Sequence, residues 1–357
     1  MYYGNLMKAV LGLENGEYVI GSGFGVEGSC AGELVFTTQM SGYMEALTDP
    51  SYQGQMLMFT YPLIGNYGVD PQNFQSPDVH AMAAVVREVC EKPETGKSVR
   101  TFYEEQGLLG IQGVDTRRLT IATRVGGTMR ASLIVGDDNA EYAIDCARKV
   151  VPIAEQNLLE QVSCKKPWRI PGKGKRIAVI DLGIKKNIAH SLNSRGADLY
   201  LYPYNATPEE IGACNPEALF ITNGPGDPAQ ATAAVAAAQY YIGKIPVFGI
   251  CMGNQVIGLA FGAETYKMKF GHRGSNQPVR HRDGSIYIST QNHGFAVDGN
   301  TLPEDCEIFF ENVNDGTLEG FCSDDLDVFC VQFHPEAHGG PRDTEQPIFD
   351  LMYRRIP

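Results

Sequence analysis

The sequence predicts an α/β protein in two parts: an N-terminal mixed β/α domain, then a C-terminal domain with a mainly parallel sheet covered by helices. Three observations carry this. In the second half, short and wholly apolar runs alternate with helical patterns, the mark of parallel strands buried on both faces. In the first half, strand-like runs separated by turn residues dominate. Between the halves, Lys165-Lys166-Pro167-Trp168-Arg169-Ile170-Pro171-Gly172-Lys173-Gly174-Lys175 is basic and rich in Pro and Gly, the composition of an exposed linker. The boundary is therefore set near residue 170, giving domains at 1–165 and 175–357.

Along the first part, residues 8–13 and 17–20 flank Glu14-Asn15-Gly16, a good hairpin turn. Further strands are expected at 33–38, 55–61 and 82–89, and helices at 99–106 and 140–150. Asp115-Thr116-Arg117-Arg118 reads as a helix start. In the second part, strand 176–181 leads to a helix at 185–195. Strands at 199–204 and 218–222 follow, then an Ala-rich helix at 229–242 and a strand at 246–250. An apolar helix is expected at 255–261, and strands at 285–289 and 328–333. In such sheets ligands bind beyond the carboxyl ends of the strands, so the chemistry is expected just after these runs.

Composition narrows the function. The 357 residues are 43% hydrophobic and 20% charged, enough for a sizeable core. The net charge of −13 argues against a nucleic-acid binder, which normally carries a basic patch. No stretch approaches the ~20 apolar residues that cross a bilayer. The first 16 residues lack a basic segment followed by an apolar one, so no secretory signal is expected and a cytoplasmic location is. The nine cysteines have irregular spacing and no C-x-x-C, which reads as reduced thiols and no metal site.

One cysteine has a setting for chemistry. Gly249-Ile250-Cys251-Met252-Gly253 lies between a strand and an apolar helix. G-x-C-x-G has the form of the nucleophile elbow with sulfur in place of oxygen. The turn exposes the side chain above the sheet, and the helix N-terminus favours a thiolate. Two glycines packed around a buried cysteine would be the bland reading; the strand–turn–helix context favours the nucleophile. A thiol needs a base, and seven histidines are available. His334 closes the run at 328–333, and Glu336, two residues on, can turn back to hold its tautomer. His293, in Gln291-Asn292-His293-Gly294-Phe295, is a second candidate base in a polar loop ending a strand. The loop Thr222-Asn223-Gly224-Pro225-Gly226-Asp227-Pro228 could bring an N–H to a developing oxyanion, beside that of Met252.

The elbow, His334 with Glu336, and the loop from Asn223 to Asp227 together resemble the class I (triad) glutamine amidotransferase domains. Ser41-Gly42-Tyr43-Met44-Glu45-Ala46-Leu47-Thr48-Asp49-Pro50-Ser51-Tyr52 is similar to a hallmark of the carbamoyl phosphate synthetase small-chain family. So are Tyr61-Pro62-Leu63-Ile64-Gly65-Asn66-Tyr67-Gly68, Asp115-Thr116-Arg117-Arg118-Leu119-Thr120 and Lys267-Met268-Lys269-Phe270-Gly271-His272. The resemblance covers nearly the whole chain. It implies that Cys251 forms a γ-glutamyl thioester, with His334 as base and Glu336 as its orienter. It places glutamine binding on Ser51, Gly224, Gly226, Met252, Gln255, Asn292, Gly294 and Phe295, and through Ser51 brings the first domain into the site. It implies a large synthetase subunit as partner and L-glutamine as substrate. It implies no cofactor in this chain, with ATP and Mg on the partner; no P-loop G-x-x-x-x-G-K-[ST] occurs here.

The chain departs from the family at Asn254, where His is usual, and at Ser275 and Gln277, where Gly and His are usual. All three are expected near the pocket. Two other readings keep part of the evidence: another class I amidotransferase or free-standing γ-glutamyl hydrolase, and a catalytically silent regulatory subunit.

Overall fold

A computed structural model describes residues 7–336 and 339–357. His338, one of the seven histidines, lies outside the described residues. The chain forms two compact units that divide between Gln156 and Asn157.

The first unit contains β1 (Met7–Leu13), β2 (Tyr18–Gly25), β3 (Gly28–Thr37), α1 (Tyr43–Leu47), β4 (Gln55–Phe59), β5 (Leu63–Ile64) and β6 (Ala83–Val85). It continues with β7 (Glu88–Val89), α2 (Val99–Gln106), β8 (Leu109–Gln112), α3 (Thr116–Gly126), β9 (Met129–Val135) and α4 (Ala140–Arg148). Seven strands close a barrel in the order β1-β2-β8-β6-β4-β3-β9. Closure leaves no open edge. The first hairpin forms at the expected turn: Leu13 N–H donates to Glu17 O at 2.8 Å, and Gly16 takes φ +92°, which glycine adopts without strain. Helices α2, α3 and α4 are each started by an N-cap side chain, Ser98, Asp115 and Asn139, that accepts a backbone N–H of the first turn. The run expected as one strand at 82–89 is two short ones, β6 and β7, in different sheets.

The second unit contains α5 (Leu159–Val162), β10 (Trp168–Ile170), β11 (Arg176–Asp181), α6 (Lys186–Ser194), β12 (Asp198–Pro203), α7 (Pro208–Gly212), β13 (Ala218–Ile221) and α8 (Thr232–Tyr241). Then come β14 (Val247–Ile250), α9 (Met252–Ala260), β15 (Thr265–His281), β16 (Ile286–Val297), β17 (Glu307–Asn312), β18 (Leu318–Ser323), β19 (Val328–Val331) and α10 (Glu345–Arg354). One sheet runs β10-β12-β11-β13-β14-β19-β18-β17-β15-β16. Its centre, β12-β11-β13-β14-β19, is parallel, as the apolar runs predict. Beyond β19 it continues antiparallel. The central strands are buried on both faces, with one apolar cluster around Ile180, Leu219 and Val256 and another around Val179, Phe220 and Phe248.

The domain boundary falls earlier than the composition suggested. Residues 165–175, expected as a bare linker, belong to the second unit and contain β10, which pairs antiparallel with β12. Arg169 holds it there through two contacts of 2.8 Å to the Asp198 carboxylate. The side chains of Trp168 and Arg169 are exposed, as a basic Pro/Gly-rich stretch leads one to expect, but the backbone ladder depends on a distant strand.

Candidate active site

Four strand ends of the parallel centre supply the site. Cys251 follows β14, Asn223 and Gly224 follow β13, Lys185 lies after β11, and His334 and Glu336 follow β19.

Cys251 holds φ +57° and ψ −105° as the N-cap of α9, one of three non-glycine residues with positive φ among those described. A side chain rarely accepts such a backbone without compensation. Here its own N–H donates to Val331 O at 2.8 Å, and its carbonyl accepts the N–H groups of Asn254 and Gln255 at 3.1 and 3.3 Å. The neighbouring glycines are required by contact. A Cβ at Gly249 would stand 2.6 Å from the Gly253 carbonyl carbon, and one at Gly253 would stand 2.1 Å from Ile221 O. Helix α9 can therefore start at once against β13. Gly253→Ala is expected to destabilise the second unit by about 3 kcal/mol or more, since the obstructing atoms are backbone. Gly126→Ala is the control, because a Cβ there meets nothing within 4 Å. Denaturant midpoints of the two variants give the comparison.

His334 is buried and fixed by its backbone, whose N–H donates to Thr290 O at 2.8 Å. Nδ1 meets Glu336 Oε1 at 2.8 Å, while Nε2 is buried with no hydrogen-bond partner among the described residues. Burial and the Lys185 ammonium oppose a charge on the ring. The Glu336 carboxylate and Cys251 outweigh them and push His334 up to about 9. Burial likewise opposes the charge on Glu336, but Lys185 and His334 hold it down at about 2.

Lys185 is the residue that sequence reasoning missed. Its Nζ is 3.0 Å from Glu336 Oε1, the oxygen that also meets His334, and its side chain is only 5% exposed. The loop that carries it is built by short polar side chains. Asp181 Oδ1 accepts the N–H groups of Gly183 and Ile184 at 2.9 and 2.8 Å, and Asn223 Oδ1 accepts that of Lys185 at 3.1 Å. In the sequence Lys185 looks like the exposed start of a helix; the one available hint was its place just beyond a parallel strand's carboxyl end.

His293, the second candidate base, is not in a loop. The segment 291–295 lies inside β16 and pairs with β15. Its polar residues tolerate burial because they are bonded: His293 Nδ1 meets Phe295 O at 2.9 Å and Nε2 meets Gln291 Oε1 at 3.2 Å. Burial holds this ring well below its ordinary pKa, and its two nitrogens face the Phe295 carbonyl and the Gln291 side-chain amide. His334, in contrast, keeps Nε2 without a partner among the described residues.

The expected substrate set is placed as follows. Met252 and Gln255 lie on the first turn of α9, and Asn292, Gly294 and Phe295 lie on β16. Cys251 Sγ is 3.5 Å from Asn292 O, and Gln255 Nε2 donates to Phe295 O at 2.7 Å, so strand and helix meet at Cys251. As the first residue of α9, Met252 keeps an N–H that the helix does not use. Gly224 and Gly226 lie in the loop after β13; a Cβ at Gly224 would stand 2.3 Å from Leu182 O, and Gly226 takes φ +87°. Ser51 belongs to the first unit, in a short turn where its N–H donates to Asp49 Oδ1 at 2.9 Å. Of the departures, Asn254 is fully buried with Nδ2 on Gln332 Oε1 at 3.3 Å, and Ser275 lies at a register shift between β15 and β16 that ends at Gln277.

The other cysteines carry no such machinery. All nine are free, and burial pushes the Cys30, Cys164 and Cys306 thiols up to about 12. Among the described residues no helix is long and apolar enough to cross a membrane.

Two family models match the chain: the CPSase domain of the carbamoyl-phosphate synthase small chain over residues 11–133, and class-I glutamine amidotransferase over residues 178–353. The carbamoyl phosphate synthase small chain of Methanosarcina mazei is 54% identical, covering 98% of this chain and 98% of its own. That of Methanosarcina acetivorans is also 54% identical over the same shares. That of Caldanaerobacter subterraneus subsp. tengcongensis is 46% identical, again over 98% of each chain.

Proposed function

Because this chain belongs to the carbamoyl phosphate synthase small-chain family and carries a class I glutamine amidotransferase domain, we propose that it hydrolyses L-glutamine through Cys251 and passes the ammonia to an ATP-dependent synthetase subunit. The observation that carries the catalytic assignment is the strained Cys251 turn together with the buried His334–Glu336 contact of 2.8 Å.

The steps follow from these groups. Cys251 Sγ attacks the side-chain amide carbon of glutamine, and the thiol proton resides on His334 Nε2. The developing oxyanion takes N–H groups from Met252 and from the Gly224 loop, donors worth several kcal/mol in a dry site. Collapse of the adduct breaks the C–N bond as His334 gives its proton to the leaving nitrogen, releasing ammonia and leaving a γ-glutamyl thioester. Water then attacks the thioester, His334 takes its proton, and glutamate leaves as the proton returns to the sulfur. Glu336 keeps the imidazole in one tautomer and offsets its positive charge.

Gly226, Asn292 and Gly294 contribute to glutamine binding. ATP and Mg serve the partner's chemistry. Free ammonia would protonate in water, which favours a shielded path to the partner. The location is the cytoplasm, where the thiols stay reduced.

The test is direct. Acid-quenched enzyme with glutamine is expected to carry a γ-glutamyl adduct on the peptide containing Cys251, seen by mass spectrometry, with ammonia release matching glutamate formation. Turnover with the adduct on another residue, or with none, would overturn the assignment.

A further inference from the structure

The antiparallel side of the second sheet buries a group of side chains that carry ligand atoms. His272 on β15 and His293 on β16 are register partners, with their rings edge to face and centroids 5.0 Å apart. Glu319 on β18 approaches both: Oε1 is 3.2 Å from His272 Nδ1 and 4.0 Å from His293 Nε2. One ligand atom from each of the three lies within 4.8 Å of the other two. All three residues are buried, Glu319 fully. The β15–β16 ladder shifts register on either side of the histidine pair, as bulged strands do where side chains are re-aimed.

The hydrogen bonds around His293 do not close by themselves. Phe295 O can only accept, so His293 Nδ1, 2.9 Å away, carries a proton. Gln277 O takes the Ser289 hydroxyl proton at 2.9 Å, which leaves Ser289 Oγ to accept from the Gln291 amide at 3.2 Å. The Gln291 atom there is therefore Nε2, and it is Oε1 that stands 3.2 Å from His293 Nε2. Two acceptors then face each other unless a cation joins them. A second proton on this ring is opposed by burial and by the charges of His272 and Arg273. Glu319 adds to the demand. Its Oε1 takes Asn312 Nδ2 at 2.9 Å, but its Oε2 is enclosed with no partner among the described residues. Asn312 Nδ2 is also 3.3 Å from His272 Nδ1, a longer contact. The outer nitrogen of each imidazole is held as in metal-bound histidines: His272 Nε2 lies 2.9 Å from Asp315 Oδ2, and His293 Nδ1 donates to a backbone carbonyl.

We propose that His272 Nδ1, His293 Nε2, the Glu319 carboxylate and Gln291 Oε1 bind a divalent metal ion of the zinc class. Gln291 and His293 are two residues apart on β16, so they share a face. Two imidazoles and two oxygens suit zinc in a closed, four-coordinate structural site. With the ion on Nδ1, His272 keeps its proton on Nε2 for Asp315, and the carboxylates of Glu319 and Asp315 match the two positive charges. The ion ties β15 and β18 to the stretch of β16 that carries Asn292 and Gly294. No cysteine takes part, and the four ligands come from three strands, so no sequence spacing reveals the site.

The experiment uses the full chain, stripped with a chelator and refilled with zinc. Wild type is expected to retain one zinc per chain after gel filtration, by elemental analysis. X-ray absorption is expected to show nitrogen and oxygen at ~2.0–2.1 Å and no sulfur at ~2.3 Å. Free zinc at about a hundred times its Kd is expected to raise the melting temperature by about 5 °C or more. Glu319→Gln keeps the shape and removes the charge. It is expected to lose both the retained zinc and the melting shift, while melting no lower than wild type when both are stripped. Asp315→Asn, which touches only the outer nitrogen of His272, is expected to weaken zinc binding about 10–100-fold. Wild type that takes up no zinc would overturn the proposal. So would a sulfur shell, which places the metal on thiols, or equal retention by Glu319→Gln. An imidazolium at His293 in stripped wild type at neutral pH, seen by nitrogen NMR, would also overturn it, since a proton then joins the two acceptors. The wild-type measurements decide the question even where a variant does not fold.

Discussion

Cys251→Ala is expected to abolish glutamine-dependent carbamoyl phosphate synthesis by the complex, by at least about a thousandfold, while synthesis from added ammonia survives. The magnitude follows from losing the nucleophile outright: no other described cysteine stands at a strand end beside an imidazole and carboxylate, and water attack unaided by a thioester is slow. The survival of the ammonia reaction follows from the division of labour, since the substitution removes one sulfur from an elbow whose shape depends on backbone contacts. Those contacts, Cys251 N–H to Val331 O and the close approach of Gly249 and Gly253, do not involve the thiol. Relieving a φ of +57° is not expected from alanine, which dislikes that region as much as cysteine does. Parallel assays with glutamine and with ammonium chloride, on the same preparation, decide the matter. Residual glutamine use above about one per cent would mean another nucleophile. Loss of both reactions would mean that the residue supports the assembly.

Much of this was legible in the sequence because the signals were local. The parallel centre announced itself as apolar runs, and the elbow as two glycines around a cysteine between a strand and a helix. The family expected from the motifs is the one the relatives show. What was missed depends on distant partners. Strand β10 looks like a linker until β12 lies beside it, and residues 291–295 look like a loop because polar residues seldom fill a strand. Their burial is possible only because β15, α9 and Gln291 supply partners, and none of those pairings can be read from spacing. Lys185 is the clearest case: a lysine at a helix start is normally solvated, and only the fold sets it against Glu336.

Lys185→Met is accordingly expected to have the second largest effect, and its sign can be worked out. In the native protein the carboxylate of Glu336 is buried yet held at about 2, with the Lys185 ammonium the first of the charges that keep it there. A depressed carboxylate stabilises the fold above its unfolded value of ~4.3, and that contribution is lost as pH falls through the folded value. Removing the ammonium leaves His334 as the remaining charge that opposes burial, so the folded value rises and the loss begins at a higher pH. Breaking a buried pair costs about 3–5 kcal/mol, which should appear as a lower melting temperature whose deficit widens toward acid. Activity follows the same direction. Once Glu336 takes a proton it no longer offsets the imidazolium, and the acid limb of kcat/KM moves up in pH. Above that limb, loss of only about 1.4 kcal/mol of alignment lowers the rate tenfold. Lys185→Arg keeps the charge and is expected to hold the acid limb near its wild-type position even if the larger head group lowers kcat. Superimposable pH profiles for wild type and Lys185→Met, in both melting temperature and kcat/KM, would show that Glu336 does not depend on this lysine. The buried ammonium would then be a passenger of the β11 loop, and the charge balance of the triad would have to come from His334 alone.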